Sequence, residues 1–242
     1  MTRVGVVGAA GRMGQEVCRA VDADDQLELV ATIDVDDDPA TLVDAACAVV
    51  VDFTVVDAAR RTLPFLADHG IHAVVGTSGF DESDHEAFRR VFTTSNCLLA
   101  PNFAIGAVLM TRFAEMAAPF FDTAEIIEFH HDTKVDAPSG TATHTAERMA
   151  AASSEWAPDP TTLEVYEGAR GGDGPAGIRV HAVRMRGVVA DQDVLLGTTG
   201  QTLSIRHRTL DRTSFMPGVV LACKRVGDHP GVTVGLDAYL GL

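Results

Sequence analysis

The sequence predicts an α/β protein: a doubly wound parallel sheet, followed by a smaller α+β domain with a mostly antiparallel sheet. Three observations carry that expectation. Up to Asn102, short apolar runs alternate with amphipathic segments; a glycine-spaced turn joins the first run to the first helix; and beyond Asn102 the alternation gives way to a different pattern. At 242 residues, 46% of them hydrophobic, the chain is long enough for each part to bury a core of its own.

The runs RVGVVG, LELVATID, CAVVVDF, IHAVVG and NCLLAPN are continuous and rich in β-branched residues, as strands covered on both faces are. Between them GRMGQEVCRAVDA, VDAARRTLPFLADHG and ESDHEAFRRVF show helical spacing with polar faces. Repeated βα units with short connections give a parallel sheet. Past Asn102 the expectations are an apolar helix from Ile105 to Ala118, a strand over TAEIIEFH and a helix from Gly140 to about Ala152. The stretch GIRVHAVRMRGVVADQDVLLGTTGQTLSIRHRTLD then reads as three strands of an antiparallel meander. TSFMPGVVLACKRVG returns to a helix that packs back on the first domain. The division is therefore residues 1–102 with 213–242, and residues 103–212. AASSEWAPDP and the glycine-rich, mobile EGARGGDGPAG read as open loops.

Composition excludes several classes of partner. A formal charge of -15 repels nucleic acid and anionic membrane surfaces at long range. No segment reaches the roughly 18 uninterrupted apolar residues of a membrane span, and the first strand starts without a signal-like leader. Cys18, Cys47, Cys97 and Cys223 stand singly, without metal-ligand spacing or a disulfide framework. A cytoplasmic protein with an acidic surface and no metal is expected. Among its cations only Lys134 and Lys224 are lysines, which makes the place of Lys134 informative.

VGVVGAAGRMG presents Gly8, Gly11 and Gly14 between the first strand and the first helix. Such a turn brings backbone N–H groups to a pyrophosphate at a helix N-terminus. The first domain is accordingly read as Rossmann-like, with Gly8, Ala9, Ala10, Gly11, Arg12 and Met13 binding a dinucleotide. Asp34 ends the second strand about twenty residues on, where an acid would accept from the ribose hydroxyls. Asp34 also reads as the first residue of the acidic turn DVDDDP. A 2′-phosphate wants a cation there, and Val35-Asp36-Asp37-Asp38 supplies none, so NADH is favoured over NADPH unless Arg12 swings across.

The densest chemistry lies in EFHHDTKVDAPSGTA, Glu128 to Ala142: two histidines, a lysine, two aspartates and a Pro-Ser-Gly-Thr turn. Read by chemistry alone, a histidine at a strand end is structural or catalytic, and PSGT is an ordinary helix cap or an anion site. GAAGRMG, VVGTSGF, APNFAIG and above all EIIEFHHDTKVDAPSGTA resemble the 4-hydroxy-tetrahydrodipicolinate (dihydrodipicolinate) reductase family of diaminopimelate and lysine biosynthesis. The resemblance runs in order through HAVR and RHRTLDRTSF. Departures are Ala10 inside the glycine turn, Pro101 where a small residue is commoner, and Val35 where some members place a cation; none touches the cluster.

What the resemblance implies is hydride transfer from NADH or NADPH to a small unsaturated ring bearing two carboxylates. His130 matches the proton donor, Lys134 the second donor that steadies a carboxylate and the ring nitrogen, and His131 a substrate ligand. Ser139, Gly140 and Thr141 match the grip on the second carboxylate. Gly76, Thr77 and Ser78, with Ala100, Pro101, Asn102 and Phe103, match the loops on the nicotinamide side. A homotetramer assembled through the second sheet is also implied. The competing readings are a reductase of another small imine or carbonyl, and a nucleotide-sensing regulator without catalysis; Cys97, starting an apolar strand, reads as a buried thiol rather than a nucleophile.

Overall fold

The computed structural model describes Met1–Leu242, and the chain divides into two units, Met1–Ile105 with Arg212–Leu242, and Gly106–Asp211. Those boundaries stand beside the 102/103 and 212/213 divisions expected from the sequence. In the first unit β1 (Thr2–Val7), β2 (Leu27–Ile33), β3 (Val49–Asp52), β4 (His72–Val75) and β5 (Cys97–Leu99) fall on the five expected apolar runs. Valine dominates them because a strand covered on both faces has no polar side to fill; all four residues of β3 are buried. Helices α1 (Arg12–Asp22), α2 (Ala40–Asp44), α3 (Val56–Asp68) and α4 (Glu82–Val91) connect them.

Helix α3 buries Ala59, Leu63, Leu66 and Ala67 on one face, the i, i+4, i+7, i+8 stripe of an amphipathic helix. Helix α4 opens on a capping box: Asp81 accepts from the Asp84 N–H at 3.1 Å, and Asp84 accepts from the Asp81 N–H at 3.0 Å. Arg60 of α3 grips the Asp84 carboxylate at 2.8 and 2.9 Å. The five-residue α2, which follows the acidic turn DVDDDP and was not expected, buries Leu42 alone, too little apolar spacing to mark a helix.

In the second unit α5 (Ile105–Ala117), β6 (Thr123–His130) and α6 (Gly140–Ala152) follow the expectation closely; β7 (Gly172–Asp173), β8 (Arg179–Arg184), β9 (Ala190–Thr198) and β10 (Gln201–Thr209) complete its sheet. The order is β10-β9-β6-β8-β7, so the expected three-strand meander is corrected. Of the three expected strands only β9 and β10 pair with each other; β6 lies between β8 and β9, parallel to the first and antiparallel to the second. Periodicity fixes which residues form a strand and which face they bury, but not the neighbour that satisfies its edge. β6 alternates buried Ala124, Ile126 and Glu128, and as the central strand it is paired along both edges. The glycine-rich loop is also partly ordered, since it supplies β7 to the edge of β8.

The chain then returns to the first unit as α7 (Met216–Arg225), β11 (Val232–Val234) and α8 (Asp237–Leu240). Helix α7 packs on α1, where Lys224 pairs with Asp24 at 2.7 Å. Strand β11 was not expected; its three residues pair parallel with β5 and complete an all-parallel sheet ordered β11-β5-β4-β3-β1-β2. Strands β2 and β3 flank β1, so the strand order reverses at β1, and ligands bind such sheets beyond the carboxyl ends of the strands at that point.

Candidate active site

At the carboxyl end of β1 the backbone turns at Gly8, which has φ +76°, a region open to glycine at little cost. The Gly11 N–H returns to the Gly8 carbonyl at 3.0 Å. Helix α1 starts immediately after, and its N-cap Gly11 has no side chain to cap it. The first N–H groups of α1 have no partner within the helix, and together with the dipole they suit an anion. Gly14 passes so close beneath the turn that a Cβ there would lie 2.1 Å from the Gly8 carbonyl oxygen. Ala10, where a glycine is usual, is exposed and not in the left-handed region, so the turn tolerates its methyl group.

The acid expected at the end of β2 is brought to this turn. The Ala10 N–H donates to Asp34 Oδ2 at 3.0 Å, and the Asp34 N–H donates to Asp37 Oδ2 at 2.8 Å. Asp34 therefore heads the acidic turn and also stands against the glycine loop. Arg12 opens α1 with an exposed side chain. The residues present thus fit a dinucleotide.

The other expected cofactor residues follow β4 and β5. Gly76–Ser78 directly succeed β4, but the Thr77 side chain turns inward. Its hydroxyl donates to Asp52 Oδ1 at 2.8 Å and accepts from the Thr54 N–H at 2.9 Å, leaving only backbone to face a ligand. Ala100 and Phe103 are buried, Phe103 with its ring 5.6 Å from that of Phe53. Asn102 accepts from the Ala104 N–H at 2.8 Å, and Pro101 is exposed. Cys97 is fully buried and burial pushes its thiol up, which removes it as a nucleophile.

In the second unit the cluster collects at the end of β6 and the start of α6. Ser139 is the N-cap of α6, its Oγ accepting from the Ala142 N–H at 3.2 Å, while its own N–H donates to Glu128 Oε1 at 3.0 Å. A Cβ at Gly140 would meet nothing within 4 Å, so the helix entrance is open beside Thr141. His130 Nδ1 lies 2.5 Å from Glu128 Oε2. His131 bonds Thr133 at 2.7 Å through Nδ1. Lys134 pairs with both oxygens of Asp136 at 2.8 Å and holds that carboxyl below its ordinary range.

Charge around His130 is tuned. Burial lowers its imidazolium below the ordinary histidine range; Glu128 opposes this, and Lys134 and Arg184 add to the lowering. A negative charge brought beside the ring would reverse part of that fall, since it favours the protonated form.

Residues 2–103 match the family described as "Dihydrodipicolinate reductase, N-terminus", and residues 106–240 the one described as "Dihydrodipicolinate reductase, C-terminus". The chain belongs to the dihydrodipicolinate reductase family. It is 52% identical over 247 residues to the 4-hydroxy-tetrahydrodipicolinate reductase of Nocardia farcinica, covering 99% of each chain. It is 51% identical over 244 residues to that of Mycobacterium marinum, again 99% of each. A solved dihydrodipicolinate reductase from Paenisporosarcina sp. TG-14, described as dipicolinate-bound, matches with a TM-score of 0.89 at 35% identity over 98% of this chain and 99% of its own. The resemblance read from the motifs is borne out, and with it an NAD(P)H-dependent oxidoreductase of diaminopimelate and lysine biosynthesis.

Within this member of the dihydrodipicolinate reductase family, two buried carboxylates and a half-buried arginine beside the expected residues carry no local signal of their role. Glu128 and its partner Arg184 anchor His130, and Asp52 ties the end of β3 to Thr54 and Thr77. Burial pushes the Asp52 carboxyl up against those hydrogen bonds. A charged residue closing an apolar run, as in VVVDF and EIIEF, was the available signal of burial, because an ion is placed inside only where partners await it.

Proposed function

We propose that the chain reduces 4-hydroxy-tetrahydrodipicolinate to tetrahydrodipicolinate, with loss of the ring hydroxyl as water. A reduced nicotinamide, when bound, supplies the hydride. His130 supplies the accompanying proton, Lys134 steadies a carboxylate and the charge that builds on the ring nitrogen, and His131 with the Ser139-Gly140-Thr141 helix entrance holds the substrate carboxylates. The observation that carries this reading is the half-buried His130, anchored by Glu128 and close enough to Lys134 to feel its charge, in a chain of this family. A nucleotide sensor requires none of these groups. The test mixes fresh product of dihydrodipicolinate synthase with the protein and NADH or NADPH. Absorbance at the nicotinamide band should fall only when substrate and protein are both present, and no fall with either cofactor would overturn the reading.

The proposal extends to the cofactor: NADH serves at least as well as NADPH, and Asp34 is the reason. One Asp34 oxygen takes the Ala10 N–H, and the carboxylate can accept from the ribose hydroxyls. A 2′-phosphate there would meet Asp34 and the acidic turn behind it. Two unit charges about 4 Å apart cost on the order of 1 to 4 kcal/mol at effective dielectrics of 80 down to 20. Arg12 is the competing cation. At fixed ionic strength, Asp34→Ala should raise kcat/KM for NADPH relative to NADH; a strong wild-type preference for NADPH, or no relative gain in the variant, would sink the argument.

The substrate is a small dicarboxylate, the location cytoplasmic and the assembly a homotetramer built through the second sheet. No helix is long and apolar enough to cross a membrane. Strand β10 leaves one edge unpaired, and Leu163, Val165 and Tyr166 are 79%, 82% and 80% exposed, apolar surface that an isolated chain would leave in water. Light scattering should find a particle near four times 25.6 kDa; a 25.6 kDa species alone would defeat the assembly.

A further inference from the structure

We propose that Glu128, itself held by Arg184, is a positioning residue that keeps His130 in its Nδ1–H form and leaves Nε2 as the nitrogen that gives and recovers the proton. This rests on the reading of His130 as proton donor. Glu128 has no exposed surface, and four donors converge on its two oxygens. Oε1 accepts from the Ser139 N–H at 3.0 Å and Arg184 Nη2 at 2.8 Å; Oε2 accepts from Arg184 Nη1 at 2.8 Å and faces His130 Nδ1 at 2.5 Å. An ionised carboxylate is acceptor-only and can satisfy all four. Nδ1 must then be the donor, because two acceptors at that distance would repel.

The register explains why these groups meet. Glu128 and His130 are two apart on β6 and share a face, and Arg184 of β8 stands opposite His130, from where its fork reaches back to Glu128. On the other flank β9 sets uncharged Ala190 opposite His130. The charges facing the ring are thus Glu128, Arg184 and Lys134. Burial alone would raise the Glu128 carboxyl, but hydrogen bonds from Arg184 and His130 outweigh it and hold it below its ordinary range. The anchor stays ionised, and Arg184 keeps its charge from being left alone inside the protein.

Glu128→Gln separates anchor from packing. The amide keeps the shape but has one acceptor oxygen and one NH₂ group. Neither the Ser139 N–H nor the Arg184 fork can accept from NH₂; only the imidazole can. The NH₂ therefore turns to His130, Nδ1 becomes the acceptor, and the ring hydrogen moves to Nε2. The imidazolium loses its partner, so the acid form becomes scarcer at any given pH.

The experiment is nitrogen NMR of ¹⁵N-histidine-labelled full-length protein, with the His130 signals assigned by their absence from His130→Gln. Neutral His130 should carry its hydrogen on Nδ1 in wild type and on Nε2 in Glu128→Gln, while Arg184→Lys, which leaves the carboxylate charged, should keep the wild-type form. Activity as the acid falls as pH rises through the His130 pKa, so in Glu128→Gln the fall of kcat/KM should begin at lower pH. At pH 7.5 kcat/KM should drop by at least about tenfold, with no further drop when the change is added to His130→Gln. An Nε2–H ring in wild type, or an unshifted pH profile in a folded Glu128→Gln, would overturn the proposal. Should that variant not fold, the wild-type ring signals still decide. A fully active His130→Gln with the Nδ1–H ring intact in wild type would instead remove the proton-donor reading and leave the assignment of the ring standing.

Discussion

Replacing His130 by glutamine is expected to lower kcat by about 100-fold or more, since a positioned proton donor typically contributes 10²–10⁴. Glutamine is close in size to histidine and its amide can still donate to Glu128, so the buried carboxylate keeps a partner; what is lost is a proton that can be released. Lys134→Ala should cost a similar factor for a different reason, the loss of an ammonium that steadies developing negative charge. In the free protein Lys134 is paired with Asp136, whose side chain is 61% exposed; stability should change little when that screened pair is removed. NADH affinity should survive in both variants, because the residues proposed to hold the cofactor belong to the other unit. Steady-state kinetics with a parallel NADH titration checks this. Near-normal kcat in both variants would mean that the roles are assigned to the wrong residues.

Gly14→Ala is expected to damage the protein at its other end. A Cβ at this position would sit 2.1 Å from the Gly8 carbonyl oxygen and 2.7 Å from the Ala9 Cα. Those are backbone atoms, so no side chain can swing away, and either α1 or the turn after β1 must shift. Inserting one carbon into a packed contact typically costs about 1–3 kcal/mol, or about 2–12 °C in Tm for a chain of this size. The same displacement moves the N–H groups of the α1 entrance, so NADH Kd should rise by at least about tenfold. Gly227→Ala is the control: its Cβ would have only His72 Nε2 within reach, at 3.9 Å. Thermal melts and NADH titrations compare the two. A Gly14→Ala protein with wild-type Tm and wild-type NADH affinity would show that the close approach does not hold the turn.

The sequence by itself determined the parts of this protein whose signal is local. The runs of the first sheet announced themselves because its inner strands, such as the fully buried β3, carry no polar alternation. Gly8 and Gly14 marked a turn whose backbone leaves no room for a side chain, and Asp34 stood at the spacing that places an acid beside it. Ser139 followed by Gly140 announced the start of α6, since a hydroxyl at the N-cap satisfies an otherwise orphaned N–H. His130, Lys134 and Ser139 were legible as one candidate cluster because they lie within a single short motif. Only the tertiary structure decided what depends on residues distant in the chain. Nothing in HAVR shows that Arg184, 56 residues from Glu128, closes the anchor of His130, because strand periodicity does not say that β8 pairs with β6 rather than with β9. Nothing in GTS shows that the Thr77 side chain turns inward to meet Asp52, 25 residues earlier. A buried ion must find its partners in the folded chain, and the strand order, which periodicity leaves open, is what brings those partners into reach.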